Sequence, residues 1–521
     1  MQKLPVGRQN FATLRKNNYL YVDKTKYVHK MIESGDINFL SRPRRFGKSL
    51  LLSTLKELFE GNKKLFEGLY IYDKWEWEDN YPVITIDLAG GTYNNLNVLE
   101  TKLKDIIHRI ARDFQVNIYS ESLEEKFTDL ISEISKKTNK SVVVLIDEYD
   151  KPIISNLQNK NLEEIQSKLG SFYEVLKTND QYIKFIFLTG VSKFTKVSVF
   201  SKLNNVDDLT LIDEFNSMCG YTQEELEDNF SDYIKNLSNK FKTSNSEIIA
   251  KIKTFYNGYS WNGREKVYNP YSTLLCFKHG EFSKNWFNTG TPNVLADYPL
   301  NRYNLKAIAE PNMVTDSELK NPTTSNMKDE ILLFQTGYLT INNIETKEDE
   351  KFYDLRIPNY EVKSALFENL VSQYSKIPLY DMLEYARKLL KYTIEANCTK
   401  IKETLGDYLS PIPTDLRGKD EKYYHTLIFM LLYTAKLHVH SEVHSYKGNA
   451  DLIIEENDYV IIIEFKQSNK SSINYMINKA LKQIETQEYG RQYKNKKIIK
   501  GAIVFKESEI GCKIIKECND L

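Results

Sequence analysis

The 521-residue sequence lacks any excess charge, since its 71 Lys and Arg residues balance its 71 Asp and Glu residues. A chain without net charge is not drawn as a whole to nucleic acid or to anionic membranes, so such contacts require a local surface. Long apolar runs are also missing: LIFMLLYTA (427–435) is far shorter than the roughly 20 residues of a membrane-spanning helix. The start MQKLPVGRQN has no apolar export segment. The sequence therefore predicts a cytoplasmic protein with no membrane partner.

Cysteine and histidine are too few and too scattered to predict a metal cluster. The chain has five cysteines, and no two have the close spacing of a metal-binding pair, so we expect free thiols in a reducing compartment. Four of the seven histidines lie close together in sequence, namely His425, His438, His440 and His444. Their spacing does not match defined zinc-ligand positions. For His438 and His440, positions on a strand face are favoured over zinc binding.

The first 210 residues contain continuous apolar runs separated by helical stretches. INFLS, PVITIDL, SVVVLIDEYD and IKFIFLTG do not alternate polar with apolar residues. Continuous runs are typical of parallel strands that are buried on both faces. The sequence thus predicts an α/β core in this region.

The rest of the chain divides into a helical middle and a second α/β pattern. Residues 216–325 are predicted to be mostly helical, and 329–371 has the order helix, strand, charged turn, strand, and then Pro358 opening another helix. This order is typical of a small winged-helix unit. LSPIPTDLRGKD (409–420) is the predicted linker to the final α/β segment.

SRPRRFGKSLLLSTL (41–55) follows the first predicted strand and begins a helix, as a phosphate-binding loop does. Gly47, Lys48 and Ser49 match the end of the Walker A pattern G-x-x-x-x-G-K-S/T. In that pattern the glycine permits close backbone approach, the lysine contacts the β- and γ-phosphates, and the serine binds Mg²⁺. Arg42 replaces the opening glycine, and a GKS match alone can arise by chance in a Lys-rich chain.

The loop contains three arginines that offer a second way to bind phosphate. Arg42, Arg44 and Arg45 can each supply bidentate guanidinium contacts. The alternative is that they form ion pairs on the outside of the loop. With Phe46 and Leu50, they complete the predicted nucleotide-binding segment 42–50.

SVVVLIDEYD ends a predicted buried strand with Asp147 and Glu148. Buried acids are unfavourable unless they meet a cation, so we expect Asp147 to hold Mg²⁺ and Glu148 to activate the attacking water. The alternative is a strand end that faces solvent. Thr189 and Ser192, after the next strand, suit γ-phosphate sensing or water orientation, and ordinary strand capping is equally open. The predicted cofactors are ATP and Mg²⁺.

These motifs resemble bacterial AAA-ATPase-like proteins that carry a C-terminal PD-(D/E)XK nuclease-like domain. The resemblance runs through LPVGRQNFATLRKNNYLYVDKTKYVHKMI, FLSRPRRFGKSLLLSTL, VVLIDEYDKPI, FLTGVSKFTKVSVFSKLNN, YNGYSW, VYNPYS, FQTGYLTI, LRIPNYEV and IIIEFK. It implies that the SRPRRFGKS form of the loop is a family trait. It also implies that Asp23, Lys24, Asp150 and Lys151 surround the ATP site.

ADLII and YVIIIEFK near the C-terminus predict a hairpin with a polar turn. If the turn is centred between 457 and 458, Asp451 lies opposite Glu464, and a period of two puts Lys466 on the same face. Facing carboxylates about 5 Å apart repel unless a cation lies between them. Mg²⁺, or Mn²⁺ in its place, suits oxygen ligands, and the ammonium can orient or deprotonate a water. The alternative is an exposed strand end with an ion pair.

Further residues are predicted around this second site. Glu442, after the helix EKYYHTLIFMLLYTAK, is an additional metal ligand or a supporting acid. The resemblance implies that Gln483 and Tyr489 lie beside the site. YKNKKIIK (493–500) is either a basic surface for nucleic acid or a solvated loop.

The sequence therefore predicts three domains: a P-loop AAA-type ATPase domain (1–215), a helical and winged-helix-like region (216–410) and a PD-(D/E)XK nuclease-like domain (411–521). The expected function is an ATPase coupled to a Mg²⁺-dependent nuclease acting on nucleic acid, with DNA favoured, and a homo-oligomer is compatible with it. One alternative is a nucleotide-dependent switch or scaffold whose C-terminal domain does not cleave. Another is a nuclease with a purely structural nucleotide pocket.

Overall fold

The computed structural model describes residues 1–157, 159–193, 206–285, 312–320, 328–366, 377–411, 421–434, 438–445, 448–456, 458–468, 470–487, 489, 493, 496–506 and 509–516. The chain divides into two compact units. The first comprises Met1–Pro299 and Pro311–Val362, and the second comprises Leu300–Glu310 and Lys363–Leu521. The domain boundaries after residues 215 and 410 stay predictions.

A parallel sheet forms the centre of the first unit. Its strands are β1 (Ile37–Ser41), β2 (Val83–Asp87), β3 (Val142–Asp147), β4 (Ile183–Gly190) and β5 (Asp207–Asp208). They lie in the order β2-β3-β4-β1-β5, and every pairing is parallel. The four predicted apolar runs are the first four strands, and β3 is buried along its whole length. The predicted α/β core is confirmed.

Helices cover both faces of this sheet. The helices of the first unit are α1 (Phe11–Lys16), α2 (Thr25–Ser34), α3 (Lys48–Phe59), α4 (Leu96–Phe114), α5 (Leu123–Thr138), α6 (Lys151–Ile154), α7 (Leu162–Thr178), α8 (Gln223–Phe241), α9 (Asn245–Tyr256), α10 (Pro270–His279), α11 (Asp316–Lys320) and α12 (Asp329–Thr336). Short 3₁₀ turns lie at Lys63–Phe66, Asp180–Tyr182, Leu209–Leu211 and Asp213–Phe215. Apolar side chains of α4, α5 and α7 form one core with alternate residues of the sheet, and α3 packs against β2, β3 and β4. Burial on both faces explains the unbroken apolar runs.

A small antiparallel sheet completes the first unit. Its strands are β6 (Asn312–Thr315), β7 (Thr340–Lys347) and β8 (Glu350–Arg356), in the order β6-β8-β7. The predicted helix-strand-turn-strand order is confirmed by α12, β7 and β8. The next helix begins at residue 360, and the Asn359 side chain accepts a hydrogen bond from the Val362 N–H. Pro358 therefore precedes the helix cap. The prediction that Pro358 opens this helix is wrong.

The second unit is built on a mixed five-stranded sheet. Its strands are β9 (His438–Ser445), β10 (Gly448–Glu455), β11 (Tyr459–Gln467), β12 (Lys497–Lys506) and β13 (Glu509–Lys516), and its helices are α13 (Leu379–Glu395), α14 (Cys398–Leu409), α15 (Glu421–Thr434) and α16 (Ile473–Thr486). The strand order is β13-β12-β11-β10-β9, and only β11 and β12 pair in parallel. The apolar face of α16 packs on β11 and β12. Within the described ranges, no helix is long and apolar enough to cross a lipid bilayer.

Candidate functional site

The loop between β1 and α3 has the backbone form of a phosphate-binding turn. Gly47 caps α3 with a φ of +96°, a value that favours glycine. Arg45 also has a positive φ, of +69°. The Lys48 ammonium is buried and donates hydrogen bonds to the carbonyls of Arg42 and Pro43 at 2.9 and 3.1 Å. The lysine thus holds the loop in a closed turn around the start of α3.

The structure brings the loop and the acid pair of β3 together. The Ser49 hydroxyl and the Lys48 ammonium both lie close enough to the Asp147 carboxylate to favour its charged form. Burial nevertheless raises the pKa of Asp147 above its ordinary value, with Glu148 and Asp87 adding repulsion. A serine hydroxyl beside a buried carboxylate is a pair of oxygen donors that fits Mg²⁺.

Glu148 has an unusual backbone conformation. Its φ is +51°, which is uncommon for a residue other than glycine, and its N–H donates to Asp147 Oδ1 at 2.9 Å. The chain thus leaves the strand direction directly after Asp147, with the half-buried Glu148 at the turn. Strained backbone of this kind concentrates at functional sites.

Arg42 does not face the loop, so the predicted phosphate contact of this residue is wrong in this structure. Its side chain is fully buried, and its guanidinium donates to the carbonyls of Ser41, Thr210 and Phe215 at 2.8, 3.1 and 2.9 Å. The guanidinium also lies 3.9 Å from the ring centre of Trp261. Burial lowers the pKa of Arg42 to about 10. These contacts engage the side chain in holding distant segments of the first unit together.

The other loop residues divide between the cleft and the core. Arg45 lines a cleft with Gly47, Lys48, Ser49 and Leu50, and its guanidinium lies 4.5 Å from the ring centre of Tyr271 in α10. Phe46 is buried against Tyr259 and Trp261, with ring centres 4.7 and 5.6 Å away. Arg44 is half-buried and near Lys151, whose pKa is lowered by burial and by this guanidinium.

Thr189 and Asp150 form hydrogen bonds that connect neighbouring parts of the parallel sheet: Thr189 connects β4 to β1, and Asp150 connects the segment after β3 to the end of β4. The buried Thr189 hydroxyl donates to the Leu40 carbonyl at 2.8 Å, so its proton is engaged by the neighbouring strand, and a role in γ-phosphate sensing stays a prediction. Asp150 accepts hydrogen bonds from the N–H groups of Val191 and Ser192, at 3.0 and 2.6 Å for the nearer oxygen. Burial raises the pKa of Asp150 to about 7, and the Glu148 charge adds to the effect.

Asp23 and Lys24 hold structure beside the cleft. Asp23 accepts hydrogen bonds from Thr25 and from the Tyr70 N–H. The Lys24 ammonium pairs with the Glu225 carboxylate at 2.6 Å and donates to the Ser217 carbonyl. This pair connects the chain before α2 to helix α8.

Sequence reasoning missed the segments that complete the cleft. One part of the cleft is lined by Pro5, Gly7, Arg8 and Gln9 from the start of the chain and by Tyr221, Pro270, Tyr271 and Leu274. An adjoining recess is mostly apolar and includes Leu20, Val22, Phe46, Met218 and Tyr221. An apolar recess beside a phosphate loop suits the flat base of a nucleotide. The quoted stretches LPVGRQN and VYNPYS contain parts of this wall, but neither indicated that it lines the cleft.

The predicted hairpin register is confirmed. Leu452 pairs with Ile463 and Glu455 with Val460, so Asp451 falls opposite Glu464. Asp451 Oδ2 accepts a hydrogen bond from the Phe465 N–H at 2.8 Å. The Lys466 ammonium lies 3.1 Å from Glu464 Oε1 and 4.0 Å from Asp451 Oδ2. The three residues of the predicted second site therefore lie together.

Glu464 is the most constrained member of this group. Its side chain is fully buried, and Glu464 Oε2 has no hydrogen-bond partner. Burial, together with the Asp451 charge, raises its pKa to about 8, while Lys466 acts in the opposite direction. A buried carboxylate oxygen without a partner, beside a second carboxylate, fits a divalent cation.

Other predicted members lie at the edge of this group. On β9, the register of Ala450 with Val443 and Leu452 with Ser441 puts Glu442 opposite Asp451, but the Glu442 side chain lies outside the described residues. Among the side chains that are described, no group of three or more metal-ligating residues is found. Gln483 lies near the Tyr489 phenol. Burial raises the pKa of Tyr489, and the nearby charges of Glu464 and Asp451 add to the effect. The side chains of His438, His440 and His444 are likewise not described, whereas in the predicted basic segment 493–500 only residues 494 and 495 lie outside the described residues. Within that segment, Lys496 pairs with Glu455.

Comparisons with known proteins agree with both halves of this arrangement. The family described as "Predicted AAA-ATPase" matches residues 5–200, and the "PD-(D/E)XK nuclease superfamily" matches residues 419–515. A protein of Azotobacter chroococcum mcd 1, "Uncharacterized protein in vnfD 5'region", is 35% identical over 500 residues, which cover 95% of this chain and 94% of that protein.

A solved structure of the Aeropyrum pernix ORC2 protein, in ADPNP-ADP complexes, covers 69% of this chain and 97% of its own at 13% identity and a TM-score of 0.26. At that score the likeness supports no inference about function. The two family matches and the near-full-length relative do support the assignment of a family. The chain belongs to the bacterial AAA-ATPase-like family that combines a P-loop AAA core with a C-terminal PD-(D/E)XK nuclease-superfamily domain.

Proposed function

We propose that this protein binds and hydrolyses ATP at loop 42–50 and uses the nucleotide to control a Mg²⁺-dependent nuclease that acts on nucleic acid, with DNA favoured over RNA. The observation that carries the nuclease proposal is the buried Glu464, which has one unpartnered oxygen and lies beside Asp451 and Lys466. Such an arrangement is unfavourable in a purely structural role.

At the nuclease site, Asp451 and Glu464 are the proposed metal ligands, and Glu442 is a further candidate from β9. A bound Mg²⁺ or Mn²⁺ supplies Lewis-acid stabilisation of charge on the scissile phosphate. The Lys466 ammonium is held between the two carboxylates, where it orients a water and can exchange a proton with it. Phe465 fixes Asp451 through its backbone N–H, so the carboxylate keeps one orientation.

At the ATP site, each residue has a proposed role that its position supports. Lys48 and the first-turn N–H groups of α3 bind the phosphates, and Ser49 and Asp147 hold Mg²⁺. Glu148 orients the attacking water. Arg45, and not Arg42, is the loop arginine that lines the cleft and can reach a phosphate. The adjoining apolar recess accepts the base.

Cleavage of labelled DNA and RNA, single-stranded and duplex, tests the nuclease. We expect Mg²⁺- or Mn²⁺-dependent cleavage by the wild type and none by Asp451→Asn or Lys466→Met. Glu455→Gln is the matched control, because Glu455 is on the same strand as Asp451 but pairs with Lys496 and Tyr493 away from the cluster. Cleavage that survives in Asp451→Asn contradicts the assignment.

Binding and hydrolysis of ATP test the first site separately. Lys48→Ala is expected to abolish binding, Arg45→Ala to weaken it, and Glu148→Gln to keep binding while losing phosphate release. Equal, near-zero phosphate release by the wild type and Glu148→Gln supports a structural nucleotide pocket instead. Unchanged affinity in Arg45→Ala removes that residue from the phosphate site.

A second function is favoured by the ion pair between Lys466 and Glu464. The pair already neutralises part of the acidic cluster, as expected in a domain that binds nucleic acid or a protein without cutting. In that case the protein is a nucleotide-dependent switch or scaffold. Bound ATP together with no cleavage of any substrate, under any metal condition, selects this alternative.

A further inference from the structure

Helix α16 has an exposed stripe that the nuclease proposal does not use. Tyr475 is 62% exposed, and Lys479 and Lys482 are also exposed, one and two turns further along the helix. At about 100° per residue, these three side chains fall within roughly 60° of one another around the helix axis. The opposite face is buried through Met476, Ile477, Ala480, Leu481 and Ile484. Packing against the sheet therefore does not explain why an aromatic side chain occupies position 475.

The two lysines of the stripe are available for an external anion. Neither side chain forms an ion pair in the part of the chain that the structure describes, and the only acid on α16 is Glu485. In contrast, Lys496 of the same unit pairs with Glu455. An aromatic ring beside free cations is the combination that binds a nucleic-acid strand, because the ring stacks on a base while the ammonium groups contact phosphates.

The stripe is continuous with the candidate nuclease site. Gln483 follows Lys482 and lies about 80° around the helix from Tyr475, between the stripe and the buried face. Gln483 lies near the phenol of Tyr489, which in turn lies near the carboxylates of Asp451 and Glu464. A nucleic-acid strand that lies along the stripe would therefore pass Gln483 and Tyr489 on the way to the carboxylates of Asp451 and Glu464.

We propose that the face of α16 formed by Tyr475, Lys479 and Lys482 binds an unpaired nucleic-acid strand and guides it to the Asp451, Glu464 and Lys466 cluster. The inference rests on the proposed nuclease function and specifies its substrate class. A duplex covers the faces of its bases and offers Tyr475 nothing to stack on, except at its ends. An unpaired strand exposes both base faces and phosphates to the same helix.

Binding of fluorescent 20-nucleotide probes to full-length Asp451→Asn protein without metal tests the proposal without cleavage. Unpaired DNA, unpaired RNA and duplex DNA of one sequence are compared. Tyr475→Ala is expected to weaken single-strand binding about fivefold to a hundredfold, whereas Tyr475→Phe retains it. Lys479→Gln with Lys482→Gln is expected to reduce the slope of log affinity against log salt by about 1.4, at roughly 0.7 per phosphate contact.

The control replaces Lys513 and Lys516, two exposed lysines on the edge strand β13, by glutamine and is expected to change neither quantity. Unaltered circular dichroism verifies folding of each variant. Equal binding by all variants, or tighter binding of duplex than of single strands, overturns the inference. If cleavage by the wild type is intact in that case, the nuclease proposal stands alone. If the protein neither binds nor cleaves any probe, both proposals fail.

Discussion

Arg42 occupies the position where a phosphate loop begins with glycine, but its side chain ties the loop to distant segments. Three carbonyls accept its hydrogen bonds, and Trp261 stacks on the guanidinium. Restoring the glycine by Arg42→Gly is therefore expected to lower the free energy of unfolding by at least about 4 kcal/mol, since three hydrogen bonds are lost and each hydrogen bond to a charged group contributes roughly 1.5–3 kcal/mol. Urea unfolding followed by intrinsic fluorescence measures the change.

Arg42→Lys is the matched variant for this prediction. Lysine keeps the charge but lacks the planar fork that contacts three carbonyls and an aromatic face at once, so we expect it to be destabilised as well. ATP affinity is expected to fall, or at best to stay equal, in Arg42→Gly. A glycine variant that is as stable as the wild type and binds ATP more tightly contradicts the structural role of Arg42.

The contrast between Lys48 and Arg42 indicates what sequence can predict at a site. Gly47, Lys48 and Ser49 act through the local turn and the start of α3, so a short pattern contains their geometry. The direction of Arg42 depends on Thr210, Phe215 and Trp261, which are far away in sequence. Trp261 belongs to the quoted stretch YNGYSW, but that stretch does not indicate a contact with the loop. Nothing in SRPRRFGKS distinguishes an arginine that faces the cleft from one that is buried.

The ends of β3 and β4 are connected through Asp150, whose carboxyl group binds a proton more tightly in the folded protein than in the unfolded chain. Burial raises the pKa of Asp150 to about 7, whereas an unfolded aspartate has a pKa of about 3.9. Between about pH 4 and pH 7 the folded protein holds a proton that the unfolded chain releases, so this group lowers the free energy of unfolding as pH rises. Asp150→Asn stays neutral and is expected to remove that part of the pH dependence.

Thermal unfolding of the wild type and Asp150→Asn at several pH values between 5 and 8 measures this effect. The melting temperature of the variant, relative to the wild type, is expected to rise with pH, because only the wild type loses stability as Asp150 is deprotonated. Each unit of difference between the folded and unfolded pKa corresponds to about 1.4 kcal/mol. Asp73→Asn, at an exposed position in the same unit, controls for the loss of one negative charge. A difference between Asp150→Asn and the wild type that does not vary with pH contradicts the raised pKa.

Whole elements were more predictable than the cleft that they form. The four parallel strands follow from their unbroken apolar runs, and the register of β10 and β11 follows from the position of one turn. The cleft combines residues 5–9, the loop and α10, which approach one another only in the fold. Periodicity predicts each helix by itself, but it contains no information about which helix ends lie beside the phosphate loop.

At the scale of the whole molecule, the two candidate sites belong to different compact units of one chain. If the proposed functions hold, the reason to join them is that nucleotide bound at one site changes the rate at the other. Coupling free energies of 1–3 kcal/mol are typical of such linkage and correspond to about fivefold to 150-fold changes. We therefore expect ATP to change the cleavage rate of the wild type by a factor in this range, and not to change that of Lys48→Ala.

Two further variants separate the steps of this coupling. Glu148→Gln is expected to bind ATP without hydrolysing it, so an ATP effect that persists in Glu148→Gln assigns control to binding, and one that disappears assigns it to turnover. Asp451→Asn is expected to lose cleavage while keeping the ATP affinity of the wild type, because Asp451 lies in the other unit. An ATP effect of the same size in Lys48→Ala and in the wild type contradicts control through the loop, since the nucleotide would then act at a site that does not include Lys48.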